Sequence, residues 1–176
     1  MKIYVTRHGE TEWNVLNKVC GLTDVELTEN GVAQAKALAK KVQDLNVGIV
    51  ISSPLKRAYE TGRMIAEKCS IPITTDPRLI EQNYGIYEGV DRKNPDFLAN
   101  KRHFAYKYPD GESMMQLAYR VYGFLDEIKE KYSGENVLIV SHGGICRVIN
   151  TYFKDMTNDK YFHHALPNCE LMEYDI

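Results

Sequence analysis

Two short stretches of this chain carry the residue types best suited to chemistry: Arg7-His8-Gly9-Glu10-Thr11 and, near the other end, Ser141-His142-Gly143-Gly144. Each comes after a short β-branched or apolar run, Lys2-Ile3-Tyr4-Val5-Thr6 in one case and Val137-Leu138-Ile139-Val140 in the other. Each therefore sets a histidine beside glycine at an expected strand end. Open α/β sheets bind ligands outside the carboxyl ends of their strands, so two such ends can bring both imidazoles to one crevice. Two facing imidazoles with an arginine beside them suit a phosphoryl group. One ring can attack while the other and the guanidinium hold the oxygens.

The elements that must position these residues read as alternating strands and helices. Thr28 is a natural N-cap, and Val32, Ala35, Ala39, Val42 and Leu45 form an apolar stripe behind it. Gly48 to Ser52 reads as a buried strand. Ser53-Pro54 then predicts a second helix, with serine capping and proline in the first turn, and an inward stripe of Leu55, Ala58, Gly62, Ile65 and Cys69. A short extended piece lies near Ile73-Thr74-Thr75. Residues 82–111 are aromatic and rich in breakers, and read as irregular. Ser113-x-x-Gln116 is a capping box for a long helix with the stripe Met114, Leu117, Val121, Leu125 and Ile128. A strand at 137–141, a helix from about Gly143 to Phe153 and a last strand near Glu170 to Tyr174 complete the chain. The alternation predicts an α/β fold of three α/β/α layers: a mostly parallel central sheet with an edge strand, the last one, running the other way.

Composition narrows the class. A chain of 176 residues, 44% hydrophobic and 26% charged, has the makeup of one ordinary globular domain, residues 1–176. A formal net charge of -2 argues against nucleic acid as a partner, since phosphate-backbone binding shows as a basic face. No leader segment and no membrane span are expected, as no apolar run reaches the needed length. Cys20, Cys69, Cys146 and Cys169 show no C-x-x-C spacing and read as reduced thiols of a cytoplasmic protein. His163-His164 are adjacent and share no helix face, and no ligand spacing for a metal occurs. Neither a metal nor another cofactor is expected. The sequence says nothing of oligomeric state.

Five ordered blocks carry a family resemblance. They are Arg7-His8-Gly9-Glu10-Thr11-x-x-Asn14, Gly21-x-x-Asp24-x-x-Leu27-Thr28-x-x-Gly31, Ser53-Pro54-Leu55-x-Arg57-Ala58-x-x-Thr61, Glu81-x-x-x-Gly85-x-x-Glu88-Gly89 and Ser141-His142-Gly143-Gly144. Together they resemble the histidine phosphatase superfamily, in its phosphoglycerate mutase-like form, over nearly the whole chain. The resemblance implies that His8 is the nucleophile that becomes phosphohistidine. An imidazole attacks only when neutral, with its other nitrogen protonated and held, here by a nearby backbone carbonyl. It implies further that Arg7, Arg57 and His142 surround the phosphoryl oxygens, that Asn14 donates to one of them, and that the Gly143 N–H adds a contact at a helix N-terminus. Glu81 matches the general acid, with Glu10, Glu12 and Glu88 as the other acids in the blocks. Thr28 and Gly31 are read as structural.

The resemblance leaves two activities to separate. Cofactor-dependent mutases of this kind place arginine directly after the general acid and carry further paired arginines in a longer insertion. Here Glu81 is succeeded by Gln82 and Asn83, and the chain is short. That favours a metal-independent phosphatase acting on a small phosphomonoester, with a phosphoglycerate-type mutase as the alternative and a non-catalytic phospholigand-binding module as a second. The segment at about 82–111 is expected to act as a lid that sets specificity. Arg92, Lys93, Lys101, Arg102, His103 and Lys107 within it are either substrate ligands or a solvated surface.

Overall fold

The computed structural model describes residues 1–176. Five strands, β1 (Lys2–Arg7), β2 (Val47–Ser52), β3 (Ile73–Thr75), β4 (Asn136–Ser141) and β5 (Leu171–Asp175), form one sheet in the order β3-β2-β4-β1-β5. β1, β2, β3 and β4 pair in parallel, and β5 runs antiparallel on the outer edge of β1. The expected layering and the reversed last strand are both present.

Side-chain alternation explains the three layers. Ile3 and Val5 of β1 and Val137 and Ile139 of β4 join one apolar cluster, while Tyr4, Leu138 and Val140 join another on the opposite face. The first cluster is covered by α5 (Met114–Lys131) and α6 (Gly143–Phe153), the second by α2 (Glu29–Val42) and α3 (Lys56–Cys69), while α1 (Glu12–Val15) is a single turn after β1. β4 is apolar on both faces because both are covered, as parallel strands require.

Caps set the helix starts. The Thr28 hydroxyl accepts from the Gly31 N–H at 3.0 Å, and Ser113 and Gln116 form the expected capping box. α3 differs from its expected start. It begins at Lys56 with Leu55 at the cap position and no side-chain cap bond; the Ser53 hydroxyl accepts instead from the Leu55 N–H at 3.3 Å and lies 2.8 Å from His142 Nε2. Its buried face includes Arg57 and Thr61 as well as the apolar stripe.

Residues 82–111 are not wholly irregular. A 3-10 turn spans Gly85–Tyr87, and Asn94 caps a short helix, α4 (Pro95–Asn100), with proline in its first turn. Val19, Tyr87, Phe97 and Tyr108 bury one another there as a small satellite core. A last short helix, α7 (Asn158–His163), precedes β5. No helix is long and apolar enough to cross a membrane.

Candidate active site

β1 and β4 are neighbours, so His8 and His142, each one residue past its strand, emerge side by side at the carboxyl end of the sheet. The ladder continues into the site through the His8 N–H donating to Ser141 O at 2.9 Å. The two imidazole centroids are 5.2 Å apart. Ser53, at the end of the next strand along, completes a row of three strand ends.

A cavity of about 130 Å³ opens over this end of the sheet, and Arg7, His8, Asn14, Glu81, Gly143 and Gly144 contribute to its wall. His8 is buried, and its Nδ1 lies 2.7 Å from Gly9 O. A carbonyl can only accept, so the ring proton sits on Nδ1 and Nε2 keeps its lone pair. Burial first, then Arg7 and Arg57, hold the imidazole well below its ordinary titration range. The ring is therefore neutral, as a nitrogen nucleophile must be.

Arg7 donates weakly to Leu166 O at 3.3 Å, and its buried Nε has no partner in the protein. An unpaired buried donor beside a cavity marks a place for an acceptor. Asn14 is held through its oxygen, which accepts from the Thr11 N–H at 3.1 Å and from Asn168 Nδ2 at 3.2 Å. Its amide nitrogen is left to donate. The Gly143 N–H opens α6 and has no intrahelical acceptor.

Arg57 and His142 stand behind this wall and not on it. Arg57, 1% exposed, donates through Nε to His142 Nδ1 at 3.2 Å and through its terminal nitrogens to Thr23 O and Gly21 O, each at 2.8 Å. His142 Nε2 in turn lies 2.8 Å from Ser53 Oγ. Burial, then Arg57 and His8, push this ring well below its ordinary range as well. The expected ring of two guanidiniums and an imidazole around one phosphoryl group is thus split here into a wall residue, Arg7, and a buried pair that backs His8.

Glu81 reaches the cavity from a loop anchored at two points. Ser141 Oγ donates to Leu79 O at 2.7 Å, and Arg120 of α5, paired with Glu112 at 2.9 Å, donates to Glu81 O at 3.2 Å. The carboxylate accepts from the Gly144 N–H at 2.9 Å and from the Gln82 N–H at 2.8 Å. A Cβ on Gly144 would collide with this carboxylate, which is why the position needs glycine. The other acids of the blocks are elsewhere. Glu10 accepts from the Thr28 hydroxyl, Glu88 accepts from the Gly21 and Thr23 N–H groups, and Glu12 is exposed. Glu81 is the carboxylate that lines the cavity.

Several members of the site were not foreseen. Ser53 lay inside one of the five blocks but read as a helix cap. Arg120 and Asn168 position Glu81 and Asn14 from distant segments with no local signature. Arg147 lines the cavity together with Arg92 and Lys101, whereas Lys93, Arg102, His103 and Lys107 do not. Tyr84 and Phe97 supply an apolar flank. No three His, Cys, Asp or Glu side chains are grouped to hold a metal ion.

Known proteins resemble this chain in sequence and in fold. A protein named probable phosphoglycerate mutase GpmB, from Yersinia pestis, is 36% identical over 99% of this chain and 85% of its own length. The solved alpha-ribazole phosphatase from Shigella flexneri is 26% identical with a TM-score of 0.87, over 100% of this chain and 91% of that one. YhfR of Bacillus stearothermophilus is 29% identical with a TM-score of 0.89, over 99% and 91%. The family model for branch 1 of the histidine phosphatases matches residues 3–176, and the chain belongs to the histidine phosphatase superfamily.

Proposed function

We propose that this protein hydrolyses a small phosphomonoester through a phosphohistidine on His8, without a metal ion. The observation that carries the reading is the state of His8: a buried, neutral ring whose proton is held by Gly9 O, with Nε2 free beside Arg7 and Glu81. In the first half-reaction the Nε2 lone pair attacks phosphorus and the bond to the leaving oxygen breaks. That oxygen takes its proton from Glu81, while the Nδ1–H bond to Gly9 O steadies the charge growing on the ring. In the second, Glu81 takes a proton from water as the water oxygen attacks phosphorus. The P–N bond breaks and inorganic phosphate leaves. Arg7, the Asn14 amide and the Gly143 N–H neutralise the equatorial oxygens, with Arg57 and His142 supporting from behind. These groups do the electrostatic work that a divalent cation does in other phosphoryl-transfer sites.

Hydrolysis is favoured over mutase transfer by the two residues next to Glu81. Gln82 donates to Glu112 O, and Asn83 donates to Asp110 O while its own oxygen accepts from the Gly85 N–H. Both amides are thus engaged within the loop. The Shigella relative is described as a phosphatase, which supports this choice; the Yersinia relative supports the mutase alternative. Four free cysteines, two of them buried, suit a reducing compartment such as the cytoplasm.

The test is rapid quench with labelled phosphomonoester, alongside phosphate release over a panel of substrates. Wild type is expected to form acid-labile, base-stable phosphate on protein and to release phosphate, and His8→Ala to do neither. Label persisting in His8→Ala would overturn the reading. Interconversion of phosphoglycerates exceeding phosphate release would favour the mutase instead.

A further inference from the structure

Parallel strands bring their carboxyl ends together, whereas an antiparallel neighbour brings its beginning to that same end. β5 is the one antiparallel strand of the sheet, so the segment that leads into it, residues 164–169, runs past the histidines. Thr6 pairs with Leu171 in the β1–β5 ladder, and the Thr6 hydroxyl donates to Glu170 O at 2.7 Å. The Cys169 N–H then donates to Arg7 O at 3.0 Å, and Asn168 Nδ2 donates to His8 O at 2.7 Å. Contacts with β1 thus continue residue by residue into the site. Cys169 has a φ of +57°, in the left-handed region that a non-glycine residue occupies at a cost. Such a conformation persists where its surroundings hold it, here through the bond to Arg7 O.

The two amide hydrogens of Asn168 are placed by partners of fixed polarity. His8 O can only accept, so the group facing it is Nδ2 and not the side-chain oxygen. The second N–H reaches the Asn14 side chain at 3.2 Å. From the other side the Thr11 N–H, which can only donate, meets the same Asn14 atom at 3.1 Å. Two donors on one atom make it Oδ1, which leaves Asn14 Nδ2 free to donate at the cavity that Asn14 lines. The helix carrying Asn14, α1, is four residues long and too short to fix a side chain by its own stability. Asn168 supplies the missing anchor. It is not itself on the cavity wall, although Ala165 and Leu166 of the same segment are.

We propose that Asn168 is a positioning residue: anchored on the carbonyl of the nucleophile His8, it fixes Asn14 with its amide nitrogen toward the phosphoryl oxygens. This rests on the reading of His8 as the phosphoryl acceptor and of Asn14 as a donor to the transferring group. An amide presented the other way round offers a lone pair to an anionic oxygen, so the direction of Asn14 decides between attraction and repulsion. Donors stabilise a transition state most when they are aimed before the reaction begins. Because one nitrogen of Asn168 holds both His8 O and Asn14 Oδ1, nucleophile and donor keep their spacing as a unit.

Calorimetric titration with orthovanadate reads the aim of Asn14 apart from turnover. Asn168→Asp keeps the shape and reverses the polarity, so its carboxylate meets two acceptors and draws the Asn14 amide nitrogen away from the cavity. Orthovanadate affinity is expected to fall on the order of 10- to 100-fold, the worth of one charge-assisted hydrogen bond. Asn168→Ala leaves Thr11 to hold the Asn14 oxygen and should lose roughly 3- to 10-fold. The loss must also depend on Asn14. In an Asn14→Ala background, Asn168→Ala should cost less than about 2-fold further, because the group it acts through is gone; a role in folding alone adds in full. Circular dichroism checks that each variant is folded, and if Asn168→Asp is not, the alanine cycle decides. Additive losses overturn the proposal, as does wild-type affinity in Asn14→Ala or in folded Asn168→Asp. If the affinities follow this order but no phosphomonoester is hydrolysed, the phosphatase reading is at fault and the role of Asn168 stands.

Discussion

Arg57 Nε donates to His142 Nδ1 at 3.2 Å, and this bond sets the two histidines of the site in opposite tautomers. A guanidinium has no lone pair to offer, so His142 Nδ1 is the acceptor and its proton sits on Nε2, facing Ser53 Oγ at 2.8 Å. His8 carries its proton on Nδ1, toward Gly9 O. One ring is thus left with a free nucleophilic nitrogen and the other with none.

Ser53 should therefore matter through His142. Ser53→Ala strands a buried imidazole N–H, which costs about 1–3 kcal/mol in stability. Urea unfolding of the variant reads this directly. An unchanged midpoint would mean that Nε2 finds another acceptor and that the serine is not what fixes the tautomer.

Glu81 and its leaving-group role can be read from substrate dependence. Glu81→Gln keeps the shape but supplies no proton. Turnover of an alkyl phosphate should fall on the order of 10²–10⁴-fold, and that of p-nitrophenyl phosphate far less, since its phenolate leaves unaided. Equal losses on both substrates would move proton donation to another group.

Gly144→Ala probes the same carboxylate without touching it. The added Cβ occupies the space of the Glu81 carboxylate and forces it aside. Displacements of about 1 Å at a reacting group can cost roughly 10²-fold in rate. The expected result is a kcat loss of that order on the alkyl phosphate with a folded, ligand-binding protein. Full activity would show that Glu81 need not sit against the α6 N-terminus.

Metal independence has a simple check. Dialysis against a chelator should leave turnover intact, and vanadate should inhibit by imitating the transferring group. A large loss restored by Mg²⁺ or Zn²⁺ would contradict the mechanism.

Acid sensitivity arises from the same two rings. His8 and His142 are held well below their ordinary range by burial and by neighbouring arginines, so the unfolded chain binds more protons than the native one below pH about 6.5. Their contribution to stability is full above that value and is lost as pH falls through it toward the native pKa values. The slope approaches about 1.4 kcal/mol per pH unit for each ring. Denaturant unfolding between pH 7 and 5 should show it, and His142→Asn should flatten it. A wild-type curve already flat in that window would mean the rings protonate without penalty.

The sequence alone determined the strand–helix alternation, the caps at Thr28 and Ser113, and the identity of the residues that could do chemistry. Those are local properties: period-2 and period-3.6 apolar patterns, capping side chains, and short blocks whose order is written in the chain. It also placed His8 and His142 at strand ends, because each directly succeeds a β-branched run. Tertiary structure decided what each of these side chains does with its polar atoms. Arg57 could not be known to spend three donors on His142, Gly21 and Thr23, since those partners lie 85, 36 and 34 residues away. Ser53 reads from local sequence as a helix cap, and its hydroxyl does accept from the nearby Leu55 N–H at 3.3 Å; its second partner, His142, arrives only when β2 and β4 pair. Arg147 lies in the expected helix from Gly143 to Phe153 outside any of the five blocks, and Lys101 reads as one of six basic residues in a breaker-rich segment. Only the packing of α4 over the end of the sheet brings the two to one cavity. Which donors remain unpaired is a property of the assembled fold, because a hydrogen bond between distant segments leaves no trace in local sequence.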